Sequence, residues 1–124
     1  MDEWTQGQRV FKTAWFAKMA KKHLISDSEL RNAALEVMRG RADDLGGGVF
    51  KKRLNRNMHR SIVVAKGRRY WIFAYLFAKK DRANIDDSEL AAFRKLAALY
   101  SRKVEQDIDK EVAISELIEV RNER

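Results

Sequence analysis

The chain has no cysteine and no proline, and only six glycines in 124 residues. Without thiols there can be no disulfide framework, no thiolate metal site and no cysteine nucleophile. Long apolar runs are also missing. The longest, Tyr70 to Ala78, has nine residues, whereas a membrane-spanning helix needs about 20. The first six residues, Met1 to Gln6, are polar and acidic and lack the basic and then apolar pattern of a secretory signal. The expected location is therefore cytoplasmic. With no proline-rich or low-complexity linker, residues 1–124 are expected to form one domain, with 108–124 as a C-terminal extension.

The remaining absence concerns charge of one sign. The chain carries 26 Lys and Arg against 18 Asp and Glu, a net charge of +8, yet not one carboxylate lies between Asp44 and Asp81. Lys51, Lys52, Arg53, Arg56, Arg60, Lys66, Arg68, Arg69, Lys79 and Lys80 all fall in that interval. Soluble surfaces usually intersperse the two signs, and a single-sign cluster repels itself until an anion relieves it. Nucleic acid is the expected partner, against the alternative of a solvated basic face.

Apolar periodicity gives the order of elements. Arg9–Lys12 reads as a short extended segment. Phe11, Trp15 and Met19, with Phe16 and Ala20, recur at the spacing of one helix face, and that helix fades near His23. Ser26 followed by Glu29 reads as a capping box opening a second helix with Leu30, Ala34, Val37 and Met38 inward. Gly40 ends it, and Asp43-Asp44 beside Gly46-Gly47-Gly48 reads as a turn. Three strands are expected at Val49–Asn55, Arg60–Ala65 and Arg69–Ala78, the last two joined through Lys66-Gly67. The third is apolar on both faces and should be central and covered twice, one cover being possible from a partner protein. Asp86 with Glu89 opens a long helix carrying Leu90, Phe93, Leu96, Ala97, Tyr100 and Val104. Residues 108–124 suggest a short helix or an arm. The fold class is α+β: two N-terminal helices, a small antiparallel sheet of three to four strands, and a C-terminal helix.

Strand alternation puts Lys51, Arg53 and Asn55 on one face and Phe50, Lys52 and Leu54 on the other. A short turn from Asn55 to His59 would bring Arg56, His59 and Arg60 towards the Lys51–Arg53 face, forming a concave basic site. Arginine's planar fork suits phosphate, and a lysine crowded by cations can lose its proton more easily. His59 has the side chain best suited to proton transfer near neutral pH, although an isolated His in a basic loop is commonly just a loop residue. His23 reads as an ordinary helix end. Lys79-Lys80-Asp81-Arg82 follows the central strand, where charged residues can overhang a sheet face. Trp15, Trp71, Phe73 and Tyr75 could stack on bases, but their spacing assigns them to the core first. Gly46–Gly48 lacks the Gly-Lys-Ser/Thr helix start of a phosphate loop, and the Asp43-Asp44 and Asp86-Asp87 pairs read as turn and cap residues rather than metal ligands.

Taken in order, these motifs resemble the RelE/HigB-like toxins of bacterial type II toxin–antitoxin systems, within the RelE/ParE superfamily. The resemblance rests on Phe11-Lys12-Thr13 with Trp15-Phe16, on Asp44 to Arg53 with its triple glycine, and on Phe77-Ala78-Lys79-Lys80-Asp81-Arg82-Ala83-Asn84-Ile85. It spans most of residues 10–100, with a further match at Glu116–Val120. It implies a RelE-like fold and a metal-independent endoribonuclease that enters the A site of the 70S ribosome and cleaves mRNA, inhibiting translation. It also implies a cognate antitoxin, of helix-turn-helix type. The site residues it implies are Lys51, Arg53, Arg60 and Lys80, flanked by Lys79 and Arg82; the basic cluster itself adds His59 as a candidate proton donor and Lys52 and Arg56, with Lys79 and Arg82, as RNA contacts. No cofactor or metal is implied. Some relatives carry a tyrosine at the start of the final helix, where this chain has Asp86-Asp87. Two other readings stay open: a non-nucleolytic ParE-like toxin acting on a protein such as DNA gyrase, and a module that binds RNA or DNA without cutting it.

Overall fold

The computed structural model describes Trp4 and residues 7–121. The rest of the Met1–Gln6 segment read for a signal, and the last three residues of the C-terminal extension, lie outside the described residues. The elements run β1 (Arg9–Thr13), α1 (Ala14–Lys22), α2 (Asp27–Met38), β2 (Asp43–Gly46), β3 (Val49–Leu54), β4 (His59–Lys66), β5 (Tyr70–Ala78), α3 (Asp87–Ser101), α4 (Glu105–Ala113) and β6 (Leu117–Val120). Six strands form one sheet in the order β2-β3-β4-β5-β1-β6.

The α+β class holds, but the sheet is larger than three or four strands and is not wholly antiparallel. β1 lies parallel to β5, with Phe11 opposite Ile72, and antiparallel to β6, with Phe11 opposite Glu119. The extended reading of Arg9–Lys12 holds, with Phe11 fully buried in β1 even though its spacing to Trp15 and Met19 also matches a helix face, and α1 begins where the Thr13 hydroxyl accepts from the Phe16 amide at 3.1 Å. Asp43-Asp44 is strand rather than turn, and the turn falls at the glycines. Gly47 (φ +65°) and Gly48 (φ +83°) adopt the left-handed conformation there. A Cβ on Gly48 would stand 3.3 Å from both the Ala65 carbonyl and the Ala97 Cβ, so the hairpin passes close beneath α3.

The β4–β5 connection is one residue longer than expected. Lys66 and Tyr70 are paired, leaving Gly67-Arg68-Arg69 as the turn. The long C-terminal helix is two helices, because α3 ends at Ser101 and Val104 precedes α4, its amide held by the Asp107 carboxylate at 3.0 Å. What the sequence left as a short helix or arm is therefore α4 followed by the edge strand β6.

Both faces of the sheet are covered by the chain itself. Val10, Leu54, Val63, Trp71, Phe73, Leu76 and Val120 pack with α1 and α2. On the other side Phe11, Val64, Tyr70, Ile72 and Leu117 pack with α3 and α4, and a smaller cluster of Val49, Ile62, Phe77 and Ile85 meets the start of α3. The cover expected from a partner on β5 is thus supplied internally. The two ends of the chain are tied by Arg9, whose guanidinium binds Glu119 at 2.9 and 3.0 Å and Asp109 at 3.0 Å. Hydrogen bonding to Glu119 raises the Arg9 pKa still further above its usual value.

Candidate nucleic-acid interface

The β3–β4 ladder sets the geometry of the basic residues. Arg53 stands opposite Arg60, Lys51 opposite Ile62, and Lys52 opposite Ser61. The next strand continues the rows, with Phe77 beside Arg60 and Tyr75 beside Ile62. Lys51, Arg53, Arg60, Tyr75 and Phe77 therefore share the face on which α3 packs; Phe77 and Tyr75 meet α3 there, while Arg53 is exposed beyond them. Directly opposed like charges cost stability in an antiparallel pair, so an Arg–Arg pair in register is unusual unless an anion is to be bound there.

The fold brings a carboxylate to each of several of these cations. Lys51 Nζ lies 3.8 Å from Asp43 on the neighbouring strand. Lys52, on the opposite face, is bound to Glu36 of α2 and donates to the Arg41 carbonyl at 3.1 Å. Its ammonium holds the Glu36 carboxyl below its usual range. Arg82 forms a fork with Glu89 and donates to the Asn84 carbonyl at 3.0 Å, with its guanidinium 5.6 Å from the Phe77 ring centre. That pairing raises the Arg82 pKa and lowers that of Glu89. Arg53, by contrast, is exposed and has no ion-pair partner among the described residues. Arg60 donates to the carbonyls of Asn57 and His59 at 3.0 and 3.2 Å. Both are backbone acceptors, so its charge is oriented rather than neutralised.

Not all the expected site residues come together. His59 follows Leu54 in the register, so its ring lies on the α1–α2 side of the sheet, away from Arg53 and Arg60. There it is 7% exposed and its ring centre lies 4.6 Å from that of His23. Burial, reinforced by His23 and Lys80 and opposed by Glu29 and Asp81, lowers the His59 pKa. Arg56, Lys79 and Lys80 line a cavity with these two histidines. The basic residues thus form two groups, one on each face, joined by the turn from Asn55 to Met58.

In that turn Asn55, Arg56 and Asn57 all have positive φ, at 55°, 54° and 70°, a region that asparagine tolerates and that costs a residue such as Arg56 about 1–2 kcal/mol. Glu29 holds the turn in place by accepting from the Asn55 amide. The capping box at Ser26 is therefore only half formed: Ser26 accepts from the Glu29 amide at 3.1 Å, while the Glu29 side chain reaches across to the turn. At α3 the box of Asp86 and Glu89 is complete.

Of the four aromatics that the sequence assigns to the core before stacking, one is not buried. Trp71 and Phe73 are core, as expected, but Trp15 is 45% exposed and stacks on half-buried Tyr75, with ring centres 5.1 Å apart and 19° between planes. The signal was in the spacing, since Trp15 sits one position off the buried face of α1 that Phe16 and Ala20 define. Among the described residues, no group of three or more His, Asp or Glu is gathered to hold a metal ion. No helix among them is long and apolar enough to cross a membrane.

Compared with family models, residues 8–120 match the RelE toxin of the RelE/RelB toxin–antitoxin system. The chain belongs to the RelE toxin family. Membership makes it a toxin of a toxin–antitoxin system, with a cognate antitoxin as its partner. Neither the curated proteins nor the solved structures compared with the chain gave a match. The site of this RelE-family toxin is therefore read from its own residues.

Proposed function

We propose that the chain is a ribosome-dependent mRNA endonuclease whose site is the open sheet face around Arg53 and Arg60. The observation that carries this reading is the in-register pair of arginines, one without a carboxylate and the other fixed by backbone carbonyls. In the proposed reaction the ribose 2′-oxygen attacks the adjacent phosphorus in line and the 5′-oxygen leaves. The products are a 2′,3′-cyclic phosphate and a 5′-hydroxyl end, and the proton lost by the 2′-hydroxyl is balanced by one gained at the leaving oxygen. Arg53 and Arg60 stabilise the charge that builds on the phosphorane oxygens, the contribution that is usually largest in such sites. Lys51, beside them on the same face, is assigned the 2′-hydroxyl proton, and the leaving oxygen takes its proton from solvent, because Lys80 lines the cavity on the other face. His59 is not assigned a proton here, because its ring lies on the other face.

RNA contacts are assigned to Arg56, Lys79 and the exposed aromatic pair, which can stack on a base. Lys52 and Arg82, held by Glu36 and Glu89, are assigned the support of the site rather than a direct contact. The setting proposed for the reaction is the A site of a programmed ribosome in the cytoplasm.

The test is primer extension on an mRNA incubated with the purified protein, with and without programmed ribosomes, beside the Arg60→Ala variant. Cuts that need ribosomes and vanish in the variant are the expected result. No cuts from folded wild-type protein would overturn the reading and favour a toxin that acts on a protein target.

A further inference from the structure

The cavity on the α1–α2 side is lined by His23, Arg56, Met58, His59, Lys79 and Lys80, with Asn57, Ala78 and Asp81 completing it, and has a volume of about 740 Å³. Small-molecule sites typically occupy about 300–1,000 Å³. Its composition is unlike that of a solvated edge, because three cations and two imidazoles share the lining with the apolar Met58 and Ala78, and Asp81 is the only carboxylate in it.

The state of the His59 ring indicates what is missing. Its Nδ1 lies 3.1 Å from the Asn55 side-chain nitrogen. An amide NH₂ only donates, so Nδ1 is the acceptor and the neutral ring carries its proton on Nε2. That Nε2 is buried and has no hydrogen-bond partner. Leaving a buried donor unpaired costs about 1–3 kcal/mol, and here the donor belongs to a residue lining a basic cavity.

From this geometry we propose that the cavity binds a phosphate-bearing nucleotide, with the His59 Nε2–H, Arg56 and Lys79 donating to the phosphate and Met58 and Ala78 contacting the base or sugar. His23, at the end of α1, covers the His59 ring and turns aside to admit the phosphate. The next residue, Leu24, is 89% exposed with φ +59°. An anion needs exposed and buried donors together, and this pocket supplies both. The two histidines alone do not make a metal site, since no third ligand joins them among the described residues. The phosphate can be that of a free mononucleotide or one within an RNA chain. In the second case the cavity continues the path of the proposed substrate across the Asn55–Met58 turn, a role that rests on the endonuclease reading, whereas binding itself does not.

The groups that act on His59 are all identified: His23, Lys80, Asp81 and Glu29, with Arg56 and Lys79 in the same lining. A bound phosphate adds negative charge beside His59, so its protonation should move to higher pH.

The experiment is a proton NMR titration of the two histidine rings, which are the only ones in the chain. Adenosine 5′-monophosphate, inorganic phosphate, adenosine and a short DNA oligonucleotide, which lacks the 2′-hydroxyl and is not cut, are each added to the full chain. The expected result is a saturable shift of both histidine signals with the monophosphate, weaker with phosphate and absent with adenosine. Arg56→Ala and Lys79→Ala, at surface positions, should each weaken binding about tenfold, as the loss of one charge-assisted hydrogen bond predicts. A shift with the oligonucleotide as well assigns the site to a phosphate within a chain, and a shift with the mononucleotide alone to a free ligand. No movement of either signal at millimolar monophosphate, or equal effects of phosphate and monophosphate, would overturn the proposal. Because the readout is binding, it is independent of whether primer extension finds cleavage.

Discussion

Trp15 and Tyr75 stack face to face, 5.1 Å apart, at the rim of the open sheet face. Tyr75 is also wedged between Phe77 and Phe93, at 6.0 and 5.8 Å. The stack therefore has one well-packed member and one that faces solvent. The stack offers an aromatic surface supplied jointly by α1 and β5.

Trp15→Ala is expected to lower the affinity for a single-stranded RNA oligonucleotide about tenfold, since base stacking is worth about 1–3 kcal/mol. The variant should lose only about 1 kcal/mol of stability, the stacking contribution of an exposed ring. Fluorescence anisotropy and thermal unfolding on the same sample check both. A stability loss without an affinity loss would make Trp15 merely a lid on Tyr75.

Arg53→Ala and Arg60→Ala should reduce cleavage by about 100-fold or more, the usual effect of removing one group that stabilises developing charge. Unfolding in urea should show no loss for Arg53→Ala, or a gain of about 0.5 kcal/mol, because a repulsive cross-strand pair has been relieved. A residue that weakens the fold when present is most simply explained by its function.

Lys52→Ala should show the reverse pattern. Its ammonium joins β3 to α2 through Glu36 and the Arg41 carbonyl, with the side chain mostly buried. A loss of about 1 kcal/mol in stability is expected, with cleavage per folded molecule nearly unchanged. The contrast between neighbouring residues 52 and 53 tests the assignment of faces directly.

Stability should begin to fall on acidification below about pH 6.5, the ordinary histidine value. His59 has a lower pKa in the fold than in the unfolded chain, so between the two values the unfolded state binds more protons and stability rises with pH. The contribution is complete above about pH 6.5, the ordinary histidine value, and is lost as pH falls through the lower folded value. A second loss follows below the ordinary glutamate range, where Glu36 and Glu89, both lowered by their cations, become protonated. Urea unfolding at a series of pH values should show both steps, and His59→Gln should remove only the first.

At the alkaline end the sign reverses. Burial and the nearby Glu111 push the Tyr100 hydroxyl up to about 12, so its contribution is present below pH 10 and is lost as the pH rises towards that value. Tyr100→Phe should flatten the alkaline limb of the same curve.

Where strand alternation governs, the sequence was a reliable guide. The opposite directions of Lys51 and Lys52 follow from a period of two, and so does the burial of Tyr70 to Phe73 on both faces. The position of His59 was hidden, because its face depends on the register across the Asn55–Met58 turn, and three successive left-handed residues are not written in hydrophobicity. The pairing of Lys51 with Asp43 was hidden for a related reason. Asp43-Asp44 carries the residue types of a turn, and only the ladder with β3 makes it a strand. β6 was illegible because a four-residue edge strand alternates too briefly to show among the charges of residues 108–121.

Contacts between β1 and its two neighbours join residues about sixty and one hundred positions apart. Such a sheet is slow to assemble, because distant segments must meet before their pairing is rewarded. Strand β1 precedes both of its sheet neighbours in the chain, so during synthesis it stays unpaired on one side until β5 has been made and on the other until Leu117–Val120 has followed.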